Sequence, residues 1–260
     1  MNTASLINHQ TSFQLKSFFR NRSGMVFAFL FPIMFLVIFS LGAGGRTTEF
    51  RGTQVPFLQF FLPGILAYGI IGACYTNLAM RVTNMRESGV LKRVLGTPLP
   101  PIAYLAGLIL SSVVIAIILS ALTTLIGVLG YGVHLYIDTL PAVIVTALLG
   151  AGTFCALGLA MASVVPNADA APAIVNFTMF PILFISDVFY SVADAPDWLQ
   201  KFAGIFPIKH LANALQVAFS PETTGAGFSG KDLLVLAAWC VVGVVLATRN
   251  FRWESRSSKS

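Results

Sequence analysis

Residues 102–128 read IAYLAGLILSSVVIAIILSALTTLIGV, a run of apolar and small polar side chains that contains no charged residue. A helix rises 1.5 Å per residue, so about 20 such residues cover the roughly 30 Å hydrocarbon layer of a membrane. In lipid, every backbone N–H and C=O must be paired, and a β-barrel would instead show alternating strands of about ten residues. The run therefore predicts a membrane-spanning α-helix.

Five further apolar runs make this an all-α integral membrane protein with six predicted transmembrane helices. The 260-residue chain is 56% hydrophobic and 10% charged, whereas an average soluble domain has about 25% charged residues. Its three cysteines lie in different runs and show no metal-ligand spacing, so no metal site is expected. The chain is interpreted as a single membrane domain over residues 1–260, with spans at 25–41, 57–80, 102–128, 140–165, 172–190 and 233–247.

The basic residues predict how the six spans are oriented. If the N-terminus is cytoplasmic, the cytoplasmic segments hold eleven of the sixteen Lys and Arg residues. Cytoplasmic loops of membrane proteins are enriched in these residues, so both termini are predicted to be cytoplasmic. The formal charge of +6 is therefore explained by basic residues that orient the spans in the membrane, and it does not indicate nucleic acid binding. The eleven residues are Lys16, Arg20, Arg22, Arg81, Arg86, Lys92, Arg93, Arg249, Arg252, Arg256 and Lys259.

Two segments outside the spans are predicted to lie at the membrane surface. Residues 1–23 place most of their apolar side chains along one arc, which predicts an amphipathic interface helix in contact with lipid. Residues 191–231 contain two apolar stretches too short to cross, which predicts two short re-entrant helices in the outer leaflet. A signal peptide cleaved near Ala43-Gly44-Gly45 is a weaker alternative for the first run, because further membrane segments follow it.

The sequence contains no enzyme motif. A Walker-type glycine loop, a nucleophile elbow and a His–Glu pair at helical spacing are all absent, so the chain is predicted not to hydrolyse ATP itself. No span carries Asp, Glu, Lys, Arg or His in its central stretch, although ion-coupled transporters usually do. Energy for active transport would therefore have to come from another subunit, and no cofactor is expected on this chain.

Polar and small residues within the spans allow two interpretations each. Polar side chains most often form hydrogen bonds between helices, but they could also line a path for an amphipathic cargo. Small residues of the fourth span, including Ala156 and Gly158, permit close packing either within the subunit or between subunits. The candidate path residues are Tyr68, Tyr75, Asn77 and Asn176.

The most specific cytoplasmic feature is the segment 81–100 between the second and third spans. Its apolar residues Val90, Leu91, Val94 and Leu95 share one arc, which predicts a short helix that docks onto a partner and stops at the prolines after residue 97. Glu87 projects onto the same arc. It could pair with Arg86 or Arg93, lie near a helix N-terminus, or contact the partner.

Three stretches of the chain resemble the ABC-2 type transporter permeases, in particular the daunorubicin-resistance-like drug exporters, and the resemblance covers essentially the whole chain. Asp187 stands where this family usually has glycine. The stretches are Arg86-Glu87-Ser88-Gly89 through Leu95-Gly96-Thr97-Pro98, then Ser186-Asp187-Val188-Phe189 with Ala195-Pro196-Asp197-Trp198-Leu199, and finally Phe206-Pro207-Ile208-Lys209-His210.

The resemblance implies a permease of an ATP-driven exporter in a bacterial inner membrane. ATP and Mg²⁺ would bind a separate ATPase subunit, a second permease copy or paralogue would complete the transporter, and the cargo would be a lipophilic or amphipathic drug or antibiotic. The loop 166–172 would make a lesser ATPase contact. The implied coupling residues are Arg86, Glu87, Gly89, Val90, Leu91, Val94 and Leu95, and those of an outer gate are Asp187, Pro196, Trp198, Pro207 and His210.

Two alternatives remain open at this point. The same architecture could export a lipid, glycolipid or polysaccharide. A wide polar or aromatic-lined channel, with Tyr68 and Tyr75 on a dimer axis, would favour that alternative. A channel or membrane assembly protein would need no ATPase and would act without a partner.

Overall fold

The computed structural model of the chain describes residues 2–43, 45–50, 52–189, 191–192, 195–221, 223, 225–251 and 253. Three groups of residues named in the predictions lie outside this description. They are Arg252, Arg256 and Lys259 of the basic tail, residue 190 at the end of the fifth span, and Gly44 of the possible cleavage site. The described elements are α1 Thr3–Arg20, α2 Arg22–Ala43, β1 Thr47–Phe50, β2 Thr53–Pro56, α3 Phe57–Ile71, α4 Asn77–Glu87, α5 Val90–Leu95, α6 Pro101–Tyr131, α7 Leu140–Val164, α8 Ala171–Phe184, α9 Asp197–Ala203, α10 Pro207–Phe219 and α11 Gly230–Asn250.

Five helical stretches of the described chain are long and apolar enough to cross a membrane. The predicted fifth span corresponds to α8, whose 14 residues extend only about 21 Å. Asp187 follows with a left-handed backbone (φ 57°), a conformation that cannot continue a right-handed helix. Six spans and their orientation therefore stay a prediction. The five stretches are Gly24–Gly42, Phe57–Glu87, Pro101–Tyr131, Ile137–Val164 and Gly230–Asn250.

The second span is longer than predicted and is interrupted. Helix α3 leads through a π-helical turn, Gly72–Thr76, directly into α4, which ends at Glu87 rather than at residue 80. Helix α7 packs against this turn, because a Cβ atom on Gly158 would lie 2.9 Å from the carbonyl oxygen of Cys74. Gly158 thus serves packing within the subunit, one of the two interpretations of the small residues.

Helices α7 and α11 run parallel to each other. Thr153 of α7 donates a hydrogen bond to the carbonyl of Leu236 at 3.1 Å, and a Cβ on Gly243 would lie 2.9 Å from that of Ala156. The second contact lies closer than the first to the C-terminus of each helix. The N-terminus of α11 therefore lies at the same end of the molecule as the N-terminus of α7. The C-terminal ends of both helices lie at the opposite end.

A buried amide stabilises the end of the molecule at which α7 begins. Gln59 at the start of α3 donates to the carbonyls of His134 and Phe219 at 2.8 and 2.6 Å, and it accepts from the His134 N–H at 3.0 Å. The side chain therefore joins α3, the loop after α6 and the end of α10. The antiparallel hairpin of β1 and β2, in which Thr47 pairs with Pro56, leads directly into α3 and was not predicted from the residue pattern.

The N-terminal helix α1 packs along α6 and buries polar as well as apolar side chains. Gln14 is buried and accepts a hydrogen bond of 2.5 Å from Arg81, whereas Phe13 and Phe19 are exposed. The buried face is therefore not simply the predicted apolar arc, since Phe19 lies outside it. The bond from Arg81 compensates the burial of the Gln14 side-chain carbonyl oxygen. The exposed rings are available to lipid, as an interface helix requires.

Candidate functional site

The C-terminal end of α4 is fastened to the C-terminal end of α7 by Arg86. The side chain is only 4% exposed and donates to the carbonyl oxygens of Ala162 at 2.8 Å and Val165 at 2.6 Å. The last carbonyls of a helix lack partners within it and carry the negative end of its dipole, so a guanidinium is favourable there. Arg86 therefore joins the predicted coupling segment to the loop that follows α7.

Glu87 makes a second link between the same two segments. Its carboxylate accepts a hydrogen bond from the backbone N–H of Ala168, in the loop between α7 and α8. This contact was not among the partners weighed for Glu87 from the sequence, because a backbone N–H leaves no trace in a residue pattern. Together, Arg86 and Glu87 hold the corner between α4 and α5 against the loop Val165–Ala170.

The coupling segment consists of the end of α4 and the separate helix α5. This corrects the prediction that Glu87 and the apolar residues of Val90–Leu95 share one face of a single helix. Gly89 has a left-handed backbone (φ 71°), so α4 ends before it and α5 begins after it in a new direction. A continuous helical projection is therefore wrong across Gly89, and Glu87 does not share the apolar face of α5.

The apolar residues of α5 divide between the core of the subunit and its surface. Leu91 is 0% exposed and belongs to the core, which corrects its predicted role as a docking residue. Leu95 is 45% exposed, while Val90 and Val94 are half-buried. The surface that α5 offers thus consists of Leu95 together with the exposed cations Lys92 and Arg93.

The candidate path residues are not brought together. Tyr75 lines a groove of about 300 Å³ between α7, α8 and α11, where its hydroxyl lies 2.8 Å from that of Thr178. Tyr68 and Asn77 line a different groove, of about 350 Å³, between α2, α3 and α6. Asn176 is half-buried on α8 and is not among the residues lining either groove.

An aromatic cluster surrounds Tyr68 beside the second groove. The ring centroid of Tyr68 lies 5.8 Å from those of Phe31 and Phe189, and 6.4 Å from that of Phe35. These separations are typical of interacting aromatic pairs. The cluster connects α2 and α3 with the turn after α8, and among its four rings only that of Tyr68 carries a hydroxyl.

Asp187, a predicted gate residue, organises the turn after α8. Its carboxylate accepts from the N–H of Val192 at 2.7 Å and lies 3.1 Å from the ammonium of Lys209, while its carbonyl accepts from Gln216 at 2.7 Å. The left-handed backbone explains why glycine suits this position in the family that the chain resembles. Aspartate tolerates this conformation better than most residues, and its carboxylate adds the two contacts to Val192 and Lys209.

His210, another predicted gate residue, is held between two acceptors. Nδ1 lies 2.6 Å from the carboxylate of Asp232, and Nε2 lies 2.9 Å from the carbonyl of Gly204. Because only a protonated imidazole donates from both nitrogens, this geometry favours the cation. The hydrogen bond to Asp232 raises the pKa of His210, although burial of the ring works in the opposite direction.

The other predicted gate residues, Pro196, Trp198 and Pro207, take no part in the hydrogen bonds of His210. Pro207 begins α10, a position where its missing N–H has no cost, and Pro196 precedes α9. Trp198 on α9 is 68% exposed, as expected of a residue that faces lipid. Asp232 was missed as a site residue because it lies 22 positions from His210 at the start of the last span.

A model of the ABC-2 type transporter family matches residues 7–220. The chain is 28% identical over 229 residues to the daunorubicin resistance ABC transporter permease protein DrrB1 of Streptomyces coeruleorubidus, covering 86% of this chain and 77% of the relative. It is 22% identical over 188 residues to the inner membrane transport permease YadH of Escherichia coli, covering 72% and 71%. It is 25% identical over 243 residues to the putative transport permease ycf38 of Cyanophora paradoxa, covering 85% and 80%.

Proposed function

We propose, from the premise that this chain belongs to the ABC-2 type transporter family, that it moves a lipophilic or amphipathic compound out of the cell. Family membership follows from the match over residues 7–220 and makes the chain a multi-pass ABC transporter permease subunit. A drug or antibiotic is the proposed cargo, and the similarity to a daunorubicin resistance permease supports it. The proposed location is a bacterial inner membrane, which the similarity to an inner membrane permease supports.

The proposed ATPase docking surface is the corner between α4 and α5 together with the loop 166–170. The observation that carries this proposal is the pair of links made by Arg86 and Glu87, since they hold both segments as one unit. Movement imposed on α5 by a partner would thereby reach the ends of α4 and α7. Leu95 and the nearby cations are the accessible contacts. ATP and Mg²⁺ would bind the ATPase, and this chain would bind neither.

The proposed cargo path follows the groove beside Tyr68. Most of its lining is apolar, and the aromatic cluster of Phe31, Phe35 and Phe189 lies against it. Such a lining suits a lipophilic compound better than a hydrated sugar polymer. Export of a lipid or polysaccharide stays the alternative, although Tyr75 lines a separate groove from Tyr68.

A second permease copy or a paralogue is the proposed partner within the membrane. Helix α2 supports this proposal, because only 11% of the residues in its apolar span are buried within the subunit. Phe27 and Ile38 are exposed on it, and both could contact either a second subunit or lipid. A path bordered by α2 would then be completed by the second copy.

Copurification of a tagged chain from its native membrane tests the assignment. The wild-type chain should recover an ATPase, and Leu95→Asp should lose it, because a carboxylate would replace the exposed apolar contact. Ile137→Asp is the matched control, since Ile137 is 84% exposed at the other end of the molecule. Leu91→Asp is unsuitable, because it would place a charge in the core. Failure of the wild-type chain to recover any ATPase would reject the exporter and leave a channel or an assembly protein.

A further inference from the structure

A basic cavity of about 870 Å³ lies between α9, α10 and the start of α11. We call it the basic cavity and define it by Lys201, Lys209 and Lys231, with Asp232 as the acidic residue of its lining. It lies at the N-terminal end of α11, so it is at the opposite end of the molecule from Arg86. If the coupling segment is cytoplasmic, this cavity opens at the level of the outer leaflet.

The charges of the basic cavity are not balanced by its own carboxylate. Asp232 is already engaged, because it accepts from His210 at 2.6 Å and from the Ser229 hydroxyl at 2.5 Å. Lys209 is paired with Asp187 at 3.1 Å. Lys201 and Lys231 are exposed and form no ion pair with any residue that the structure describes. Among the described residues, the cavity therefore offers an anion two ammonium groups that are not held in ion pairs.

The apolar groove that contains Tyr75 adjoins the basic cavity along α11. Val235 lines the basic cavity and Trp239 lines the groove, and these residues are one helical turn apart on the same face. The turn between α9 and α10 separates the two spaces, and the indole N–H of Trp239 donates to the carbonyl of Ile205 there at 2.9 Å. The polar space and the apolar one, of about 300 Å³, thus lie side by side along α11 with this turn between them.

We propose that the basic cavity binds the phosphate of an anionic phospholipid whose acyl chain lies in the adjoining apolar groove. The lysines alone would suit any phosphate, free or esterified. The apolar groove favours a lipid over a free anion. Transfer of a hydrocarbon chain from water into an apolar space is favourable, whereas a hydrated free anion has no apolar surface to bury there. Each lysine near a membrane surface attracts anionic lipid. Lys201 and Lys231 can act in this way because neither is held in an ion pair with another described residue. The site does not depend on the cargo or on the ATPase.

Quenching of Trp239 by brominated lipid tests the proposal. A chain with Trp198→Phe and Trp253→Phe keeps Trp239 as its sole tryptophan, which lines the proposed acyl groove. In phosphatidylcholine nanodiscs, brominated phosphatidylglycerol should quench at a much lower mole fraction than brominated phosphatidylcholine. Lys201→Gln with Lys231→Gln should raise the phosphatidylglycerol requirement about tenfold, since each lysine contributes to headgroup attraction.

Lys16→Gln with Arg20→Gln is the matched control, because it removes two exposed cations from α1 and should leave quenching unchanged. Lys209 is retained throughout, so that Asp187 keeps its partner. Equal quenching by the two brominated lipids in the parent chain would overturn the proposal. Thermal stabilisation by inorganic phosphate that needs Lys201 and Lys231, without any lipid preference, would also overturn it and assign the cavity to a free anion.

Discussion

The guanidinium of Arg86 lies 2.6 Å from the carbonyl oxygen of Val165, which joins two segments that are 79 positions apart in the sequence. A second bond to Ala162 makes this a two-point attachment of α4 to the end of α7. Because the side chain is buried, the attachment is a structural part of the proposed docking surface and is not itself available to an ATPase.

Arg86→Ala should destabilise the purified chain by about 2–3 kcal/mol, because two buried carbonyls lose a charged donor. Arg93→Ala is the control, since Arg93 is exposed and its change should stay within about 0.5 kcal/mol. Thermal unfolding in detergent measures both. Equal melting temperatures for the two variants would show that the attachment contributes nothing to stability.

Gly158→Ala and Gly152→Ala should have opposite effects although both lie on α7. A methyl group at 158 would meet the Cys74 carbonyl at 2.9 Å, whereas a methyl group at 152 would have no atom within 4 Å. We expect Gly158→Ala to cost about 1–3 kcal/mol through overpacking, and Gly152→Ala to be neutral or stabilising by up to about 1 kcal/mol. Unfolding in detergent tests the pair, and a neutral Gly158→Ala would contradict the close packing against the π-helical turn.

The hydrogen bond of His210 to Asp232 should make stability depend on pH. The folded-state pKa of His210 lies above its ordinary value of about 6.5, so the contribution is fully present below that value. It is lost as the pH rises through the folded-state pKa. The melting temperature should therefore fall relative to His210→Gln as the pH increases from about 6 upward. Parallel pH profiles for the two chains would refute a stabilising protonated His210, and Asp232→Asn should flatten the profile as His210→Gln does.

Substitutions at Asp187 should separate backbone strain from carboxylate contacts. Asp187→Gly keeps the left-handed backbone without strain but loses the bonds to Val192 and Lys209. Asp187→Ala loses the same bonds and adds the steric cost of a left-handed alanine, so it should be about 1 kcal/mol less stable than the glycine variant. Comparison of their unfolding temperatures decides this, and alanine as stable as glycine would be inconsistent with the positive φ at this position.

Residue patterns predicted much of the helical architecture, because the length and period of an apolar run are local properties. They also identified the segment around Arg86 and the turn around Asp187 by their resemblance to a family. The patterns failed where a helix is interrupted without a proline. Gly89 divides the coupling segment through its backbone conformation, and that conformation rotated Leu91 into the core.

The sequence by itself determined that this chain is a membrane protein, since its composition and uncharged runs suit no other solvent. Only the tertiary structure decided what Arg86, Glu87 and His210 contact. Four of their partners are backbone groups, of Ala162, Val165, Ala168 and Gly204, and every residue carries such groups, so no pattern of side chains singles them out. The pairing of His210 with Asp232 likewise depends on how α10 meets α11 in space, and not on their spacing along the chain.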